Sequence, residues 1–323
     1  MTGMEKLLAG ERAELAGDYL AAAAAYRAVS GDPAELMAAE AHFRLGRVSW
    51  RLSRFESALA AFETARALAL RSDAVELQAR VANGIGAVHY AQGDYVAARR
   101  AYADAQLLTH DGAMRGKIIL NLGVIENIEG DLEAAREHYV QAYRLFQEHG
   151  DRASAILALH NRGMVEADLQ RWEEADASFL AALALATDAG NPEMIARTLV
   201  SRSEVLSARG APQEAVEHCD RALAAYATLG DEVGRGEALR WRAHALRLGN
   251  DFVGAERSAT EALHIAARCG SRLLEAEAAR ELGVLRRLHN DREGETKNLN
   301  RALALFRQLG SRREISEIEE LLH

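Results

Sequence analysis

The sequence predicts an all-α protein made of stacked pairs of helices, and three observations support this class. Only 3 of the 323 residues are proline and 6% are aromatic, while Ala, Leu, Glu and Arg are abundant, a composition typical of helical chains. One pattern of small, turn-forming and aromatic residues recurs eight times, mostly at a spacing of 40 residues. A second series of glycines keeps the spacing of 40 residues, at Gly150, Gly190, Gly230, Gly270 and Gly310.

Each repeat is built around a two-residue turn between two predicted helices. Where this turn is Gly-Asp, the glycine supplies the left-handed residue that ends the first helix. The aspartate then accepts hydrogen bonds from the free N–H groups that begin the second helix. The eight turns are Gly17-Asp18, Ser53-Arg54, Gly93-Asp94, Gly130-Asp131, Gln170-Arg171, Gly210-Ala211, Asn250-Asp251 and Asn290-Asp291.

Small and bulky residues at fixed distances from the turn predict how the two helices pack. Seven residues before each turn lies a small residue: Gly10, Gly46, Gly86, Gly123, Gly163, Ser203, Ala243 or Gly283. Four residues after the turn lies an alanine in every repeat except the last, which has Glu295. Four residues further lie Tyr26, Phe62, Tyr102, Tyr139, Phe179, Cys219, Ala259 and Leu299. Residues at this spacing share one face of a helix, and a single pair cannot bury that face alone, so the pairs must stack.

This skeleton resembles the tetratricopeptide repeat family. The resemblance is carried by fragments such as Leu45-Gly46, Leu122-Gly123 and Ala98-x3-Tyr102, and it extends over essentially the whole chain. The period departs from the family's usual length of about 34 residues, and the proline at the end of the second helix is absent. About six extra residues per repeat add roughly 9 Å of helix. Longer helices are expected, as in the subset that includes bacterial peptide-pheromone receptors and kinesin light chains.

The resemblance implies a right-handed superhelical solenoid of about eight helix-turn-helix units with a C-terminal capping helix. We predict a single solenoid over residues 1–323, whose last stretch, SRREISEIEELLH, is the capping helix 311–323. The expected unit limits are approximately 4–32, 33–72, 73–112, 113–150, 151–190, 191–230, 231–270 and 271–310.

Composition and motifs exclude several classes of protein. The net charge of −9 argues against a general nucleic-acid binder. Two cysteines, Cys219 and Cys269, give no disulfide framework and suit a reducing cytosol. The N-terminus, MTGMEKLLAGERAE, carries acidic residues where a signal peptide would be apolar, and no apolar run approaches the roughly 18 residues of a membrane span. We therefore expect a cytoplasmic protein that does not bind a membrane.

The repeats leave no segment for a catalytic domain, and the common catalytic motifs are missing. His218-Cys219-Asp220 looks like a nucleophile set, but consecutive helical residues point in different directions. Cys219 also occupies the aromatic position of its repeat, which predicts a buried packing thiol. The eleven histidines are scattered. The sequence therefore predicts neither an enzyme nor a metal or cofactor site.

The resemblance implies that the first helices line a concave groove and that six positions in each face the ligand. In repeats two to eight these positions hold ten basic and six acidic side chains, which predicts a positive groove on a negative chain. Asparagine can bond a peptide backbone, and arginine can pair with carboxylates or a phosphate. The candidate partner-binding residues are Arg44, Arg47, Trp50, Arg51, Arg80, Asn83, Tyr90, Lys117, Asn121, Asn127, His160, Asn161, Arg197, Arg240, Trp241, Arg247 and Arg280.

Each of these residues also has a structural interpretation. An arginine on a helix face is often paired with a glutamate four residues away, Trp50 and Trp241 can serve packing, and asparagine at this position is common in the family without a known ligand contact. Arg44 and Asn121 resemble fragments of the carboxylate clamp of chaperone-binding relatives. The full clamp is not present in order, so binding of chaperone tails is not predicted.

The function expected from the sequence is a non-catalytic scaffold or adaptor that holds a peptide or helix of a partner protein, and the arginines of the groove suit a partner with acidic groups. One alternative is a sensor that changes pitch on binding a signal peptide. Such receptors carry an N-terminal effector module, whereas here the repeats begin almost at Met1, so the effector would be another chain. The other alternative is self-assembly through terminal repeats, because the first repeat has a short second helix with the sequence LAAAAA.

Overall fold

The computed structural model describes residues 2–322, and within them it contains 17 α-helices and no strand. The all-α class is therefore confirmed, while Met1 and His323, the ends of the predicted solenoid, lie outside the described residues. The helices are α1 (Gly3–Leu15), α2 (Tyr19–Arg27), α3 (Glu35–Arg51), α4 (Phe55–Arg71), α5 (Val75–Ala91), α6 (Tyr95–Leu108), α7 (Gly112–Glu129), α8 (Leu132–Glu148), α9 (Arg152–Asp168), α10 (Trp172–Asp188), α11 (Pro192–Ala208), α12 (Pro212–Leu229), α13 (Glu232–Leu248), α14 (Phe252–Cys269), α15 (Arg272–Leu288), α16 (Arg292–Leu309) and α17 (Arg312–Leu322).

The helices α1 to α16 form eight consecutive helix-turn-helix pairs, and α17 follows as the capping helix. Most helices have 17 or 18 residues, as the long repeat period predicts. The apolar face of α17 covers the last pair, because Ile318 is fully buried and Ile315 and Leu321 pack against the core of α16. None of the described helices is both long and apolar enough to cross a lipid bilayer.

The chain divides into two compact units, Met1–Ala158 and Leu159–His323, with the boundary inside α9. They are called the N-terminal unit and the C-terminal unit below. The expectation of one solenoid over residues 1–323, with the repeat limits given above, stays a prediction.

The turns have the geometry that the sequence predicts. Gly93 has φ 79°, and the side chain of Asp94 accepts a hydrogen bond of 2.9 Å from the backbone N–H of Ala97. Glycine is not required at every turn, since Ser53 and Asn250 also adopt left-handed backbone conformations, with φ 56° and 63°. The glycines of the second series all have positive φ as well: Gly150, Gly190, Gly230, Gly270 and Gly310.

In most pairs the small residue of the first helix receives the bulky residue of the second helix. A β-carbon at Gly46 would lie 2.6 Å from the ring of Phe62, and one at Gly86 would lie 2.5 Å from the ring of Tyr102. Both aromatic rings are buried. The backbone of the first helix therefore forms one wall of the aromatic pocket, and any larger residue there would force the pair apart.

Candidate functional site

A cavity of about 470 Å³ lies in the N-terminal unit, where the first helices α3, α5 and α7 run side by side. We call it the N-terminal cavity. It is lined by Phe43, Arg47, Trp50, Arg51, Phe62, Arg80, Asn83, Gly84, Ala87, Tyr90, Tyr102, Asn121 and Val124. Seven of these were candidates from the sequence: Arg47, Trp50, Arg51, Arg80, Asn83, Tyr90 and Asn121.

Small residues on α5 create the space for this cavity. Gly84 and Ala87 face it one helical turn apart, and a β-carbon at Gly84 would lie 2.7 Å from the ring of Phe62. The aromatic side chains of the second helices therefore form the floor. Sequence reasoning missed the floor residues because it considered only positions of the first helices. It did not select Phe43, although this residue occupies one of the six positions taken to face the ligand. The small residue Gly84 beside the repeat glycine was the available signal.

The arginines beside the cavity are mostly held by carboxylates of the same unit. Arg80 donates two hydrogen bonds to Glu40, of 3.0 and 3.1 Å, and its guanidinium carbon lies 4.3 Å from the centre of the Phe43 ring. Arg44 donates to Glu40 at 2.7 Å and also bonds Glu11. Burial would raise the pKa of Glu40, but the bonds from Arg80 and Arg44 outweigh it and lower this pKa. Glu40 is therefore a stable anion that neutralises its neighbours.

Arg47 is neutralised in the same way. It bonds Glu14 at 2.8 Å, and Glu14 also accepts a hydrogen bond of 3.0 Å from the hydroxyl of Tyr26. Burial and the neighbouring Glu14 raise the pKa of Tyr26 to about 12, so its hydroxyl keeps the proton. Glu11 and Glu14 belong to the first repeat, so they are not among the charged groove positions of repeats two to eight. The positive charge predicted for this end of the groove is accordingly smaller in the structure.

Arg51 differs from the other three arginines. It is exposed, and its guanidinium carbon lies 5.7 Å from the centre of the Tyr19 ring. Among the residues that the structure describes, no carboxylate bonds it. Arg51 borders two further cavities of about 330 and 380 Å³, so its charge is open to solvent on several sides.

Two amides meet on the wall formed by α5 and α7. The amide nitrogen of Asn121 donates a hydrogen bond of 3.2 Å to the side-chain oxygen of Asn83. Both side chains line the cavity, and neither has another hydrogen bond to the described part of the chain. The pair therefore keeps an unused donor on each residue and an unused acceptor on Asn121. Nearby, burial raises the pKa of Tyr90, which stays protonated.

The other candidates of the N-terminal unit lie outside the cavity. Lys117 is exposed and forms an ion pair of 3.2 Å with Asp151. Asn127 is partly exposed near the end of α7. Neither residue lines the N-terminal cavity.

In the C-terminal unit, the predicted arginines are again held by glutamates. The guanidinium of Arg240 lies over the Trp241 ring at 4.1 Å. Its Nε lies 3.0 Å from Glu277 but out of line for a hydrogen bond, so this contact is an ion pair. Arg247 bonds the buried Glu281 at 2.5 Å, and Arg280 pairs with Glu317 of α17 at 3.2 Å. Arg197 is exposed and has no ion pair among the described residues.

Three carboxylates of the C-terminal unit, Asp168, Glu204 and Glu237, have no direct ion pair within residues 2–322. Burial raises the pKa of Glu204 to about 7; the charge of Arg240 opposes this shift, while Asp168 adds to it. Asp168 and Glu237 are exposed, yet partial desolvation raises the pKa of each. These three carboxylates therefore lack a direct cationic partner, a local feature that the summed charge of the groove positions does not show.

His160 belongs to the core of the C-terminal unit and does not face a groove. It is 2% exposed, its Nδ1 lies 3.1 Å from the hydroxyl of Thr198, and its ring packs against Phe179. Burial and the positive charge of Arg197 lower its pKa to about 3, so it is neutral. The neighbouring Asn161 is partly exposed.

Cys219 is a packing residue, as its position in the repeat predicts. It is fully buried, and burial raises the pKa of its thiol to about 11. His218 is bonded to the carbonyl of Glu214 and to Arg202. Among residues 2–322 there is no group of three side chains suited to hold a metal ion.

Comparison with known proteins identifies a repeat family. The profile of the family described as Tetratricopeptide repeat matches residues 37–106, 114–188 and 154–228, which together make up more than half of the chain. Among curated protein sequences, none matches the chain significantly.

Solved structures match at low sequence identity. The apo form of RapI has 14% identity and a TM-score of 0.74, with 99% of this chain and 96% of that chain covered. A Rap protein complexed with Competence and Sporulation Factor has 13% identity and a TM-score of 0.64, with coverage of 99% and 96%. A signal transduction ATPase with a tetratricopeptide repeat sensor, from Pyrococcus horikoshii, has 13% identity and a TM-score of 0.76, and this chain covers 50% of it. At these identities, the likeness shows the fold alone.

Proposed function

The chain belongs to the tetratricopeptide repeat family, and from this premise we propose that it is a non-catalytic scaffold that holds a segment of a partner protein in the N-terminal cavity. One observation carries the proposal: aromatic walls and a pair of incompletely bonded amides meet in a cavity of about 470 Å³ between three first helices. Apolar walls with a few fixed polar groups are typical of ligand sites.

The chemistry of the cavity fits a peptide better than a folded surface. The amides of Asn83 and Asn121 offer both a donor and an acceptor, which matches the N–H and C=O groups of an extended backbone. Trp50, 36% exposed, and Tyr90 offer apolar area with little loss of side-chain entropy. An apolar side chain of the partner would fill the space above Ala87.

The ionisable groups of the cavity support binding rather than catalysis. They are arginines and tyrosines: Arg47, Arg51, Arg80, Tyr90 and Tyr102. Arginine is permanently protonated in proteins, and burial raises the pKa of both tyrosines. None of them can accept a proton at neutral pH, so the site lacks a general base.

The predicted residues of the C-terminal unit are weaker candidates for the site. Arg240, Arg247 and Arg280 already hold carboxylates of their own chain. A ligand that took these arginines would leave charged glutamates without partners, which costs much of the energy it gained. The N-terminal cavity needs no such exchange.

A peptide-responsive regulator is the second candidate. It is favoured by the match, over 99% of the chain, both to apo RapI and to a Rap protein complexed with Competence and Sporulation Factor. In this function, a bound peptide would alter the activity of a separate effector chain. A change in the radius of gyration on peptide binding, measured by small-angle scattering, would support it, and an unchanged radius with bound peptide would exclude it.

The scaffold function can be tested by filling the cavity. Ala87→Trp places an indole in it, and Ala60→Trp makes the same change at an exposed position of α4. We expect wild type and Ala60→Trp to retain the same partner from a lysate of the source organism, read by mass spectrometry, and Ala87→Trp to lose it. Circular dichroism checks that all three proteins are equally helical. Equal retention by Ala87→Trp would contradict the proposed site.

A further inference from the structure

Resting on the proposed function, we infer that the segment bound in the N-terminal cavity carries one acidic side chain next to an apolar side chain, and that Arg51 selects the acidic one. Arg51 would thus determine which partner segment binds. This role follows from the balance of charges at one end of the cavity and from the shape of the surface around Arg51.

The charges at this end of the cavity leave one cation without a partner. Four arginines lie here, and three of them, Arg44, Arg47 and Arg80, hold glutamates of the same unit. The glutamates are Glu11, Glu14 and Glu40. Four positive and three negative side chains leave a single positive charge, and it is Arg51 that lacks a carboxylate.

The bound arginines are poor partners for a ligand. A ligand carboxylate that took Arg80 would have to displace both hydrogen bonds to Glu40 and leave that glutamate with Arg44 alone. Arg51 gives up only a distant contact with the ring of Tyr19. Its fork of N–H groups can bond both oxygens of a carboxylate.

The apolar part of the ligand is placed beside this charge. Trp50 precedes Arg51 at the end of α3, and both line the N-terminal cavity together with Tyr90. A segment with its apolar side chain among these rings therefore brings a neighbouring side chain close to Arg51. An isolated acid would not fill the cavity, and an apolar segment without an acid would leave Arg51 unpaired.

The surface beyond Arg51 favours an acidic side chain over the end of a chain. One adjoining cavity lies between Arg51 and residues of α1 and α3, including Glu14 and Arg47. The lining of the other includes Arg51, Phe55 and Ala91. Because the concave surface continues past Arg51, a bound segment can run on, whereas a C-terminal carboxylate would end there and leave both spaces empty.

The surrounding glutamates limit the ligand to one negative charge. A phosphate group or a run of acidic residues would extend toward Glu11 and Glu14, which line the cavity beside Arg51. Because Arg44 and Arg47 already pair with these glutamates, a second negative charge of the ligand would find no free cation among them. The same glutamates that neutralise the other arginines therefore discriminate against polyanions.

The test uses the full chain and two random heptapeptide libraries, one displayed with the peptide C-terminus fused to the carrier and one with it free. From the fused library we expect peptides in which Asp or Glu neighbours an apolar residue. One selected peptide is then synthesised with blocked ends, together with its analogue in which the acid is replaced by its amide. Wild type should bind the acidic peptide about fivefold to tenfold more tightly than the amide analogue by fluorescence anisotropy.

The assignment to Arg51 is tested by a double-mutant cycle. In Arg51→Gln the preference for the acid should fall to near one, while the affinity for the amide analogue stays as in wild type. Arg54→Gln, which changes an exposed arginine three residues away that does not line the cavities, should keep the full preference. Circular dichroism should give equal helicity for all proteins.

Several results would overturn the inference. They are selected peptides without an acid, an acid preference that persists in Arg51→Gln, and selection only from the library with free C-termini. In these cases Ala87→Trp distinguishes a failure of the inference about Arg51 from a failure of the proposed function. If Ala87→Trp does not bind the selected peptides, the proposed function is still supported. Peptides that it binds as well as wild type does, or no selected peptide at all, would refute both the inference and the proposed function.

Discussion

Replacing Glu204 by Gln should stabilise the C-terminal unit at pH 8 and have a much smaller effect at pH 5. Glu204 lies on α11 without an ion pair among the described residues, and burial raises its pKa from 4.5 to about 7. Between these two pH values the folded state holds a proton that the unfolded state has lost. Stability therefore falls as the pH rises through this window and stays low above pH 7.

The size of the effect follows from the two pKa values. A difference from 4.5 to about 7 corresponds to about 3 kcal/mol at pH 8. The side chain is not completely buried, and solvent screening reduces this free-energy difference to about 1–2 kcal/mol. Glutamine resembles the neutral carboxyl group, so the variant avoids this cost. For a unit of this size, the melting temperature should rise by roughly 3–8 °C at pH 8.

Differential scanning calorimetry at pH 5 and pH 8 measures this directly. The comparison is between Glu204→Gln and wild type at each pH, so that other titrating groups of the chain cancel. Glu193→Gln, at an exposed position in the first turn of the same helix, should change the melting temperature little at either pH. A gain at pH 8 no larger than the gain at pH 5 would refute the reasoning, and it would mean that Arg240 or solvent compensates the charge of Glu204.

Glu40→Gln removes an anion that holds two arginines, so the N-terminal unit should lose about 1–2 kcal/mol, and amides of α3 and α5 should exchange about 5- to 30-fold faster by mass spectrometry. Unchanged exchange would show that the network does not contribute to stability. Gly86→Val drives a side chain into the ring of Tyr102 and should cost about 1–3 kcal/mol in urea unfolding; an unchanged midpoint would contradict the close packing. The exposed Cys269 should react with a maleimide in the native protein and the buried Cys219 only after unfolding, so labelling of both native thiols would exclude the burial of Cys219.

The local features of the fold were predictable because they are encoded within a few residues. A glycine that ends a helix and an aspartate that caps the next one act over four residues, as at Gly93 and Asp94. The contact between Gly86 and Tyr102 repeats at a fixed distance along the chain. Regular spacing therefore identified the helix pairs and the residues that pack between them.

The state of the candidate site was less predictable because it depends on contacts between repeats. The partners of Arg47 and Arg80 lie 33 and 40 residues away, and no local pattern shows which glutamate reaches which arginine. His160 was assigned to the groove from its position in the repeat. The structure buries it against Phe179, and the equivalent positions Leu120 and Val200 are buried as well.

The ion pairs reduce the positive charge predicted for the groove, and they also indicate where a ligand fits within the N-terminal unit. Arg44 and Arg80 use their charge to join the first helices of successive repeats through Glu11 and Glu40. At the next junction along the stack, between α5 and α7, the described residues form the bond between Asn83 and Asn121 and no ion pair. An amide pair contributes less to stacking than a charged pair, but it leaves donors and an acceptor for another molecule. The cavity extends from α3 across this junction, and the free polar groups of the amide pair there can bond a peptide backbone.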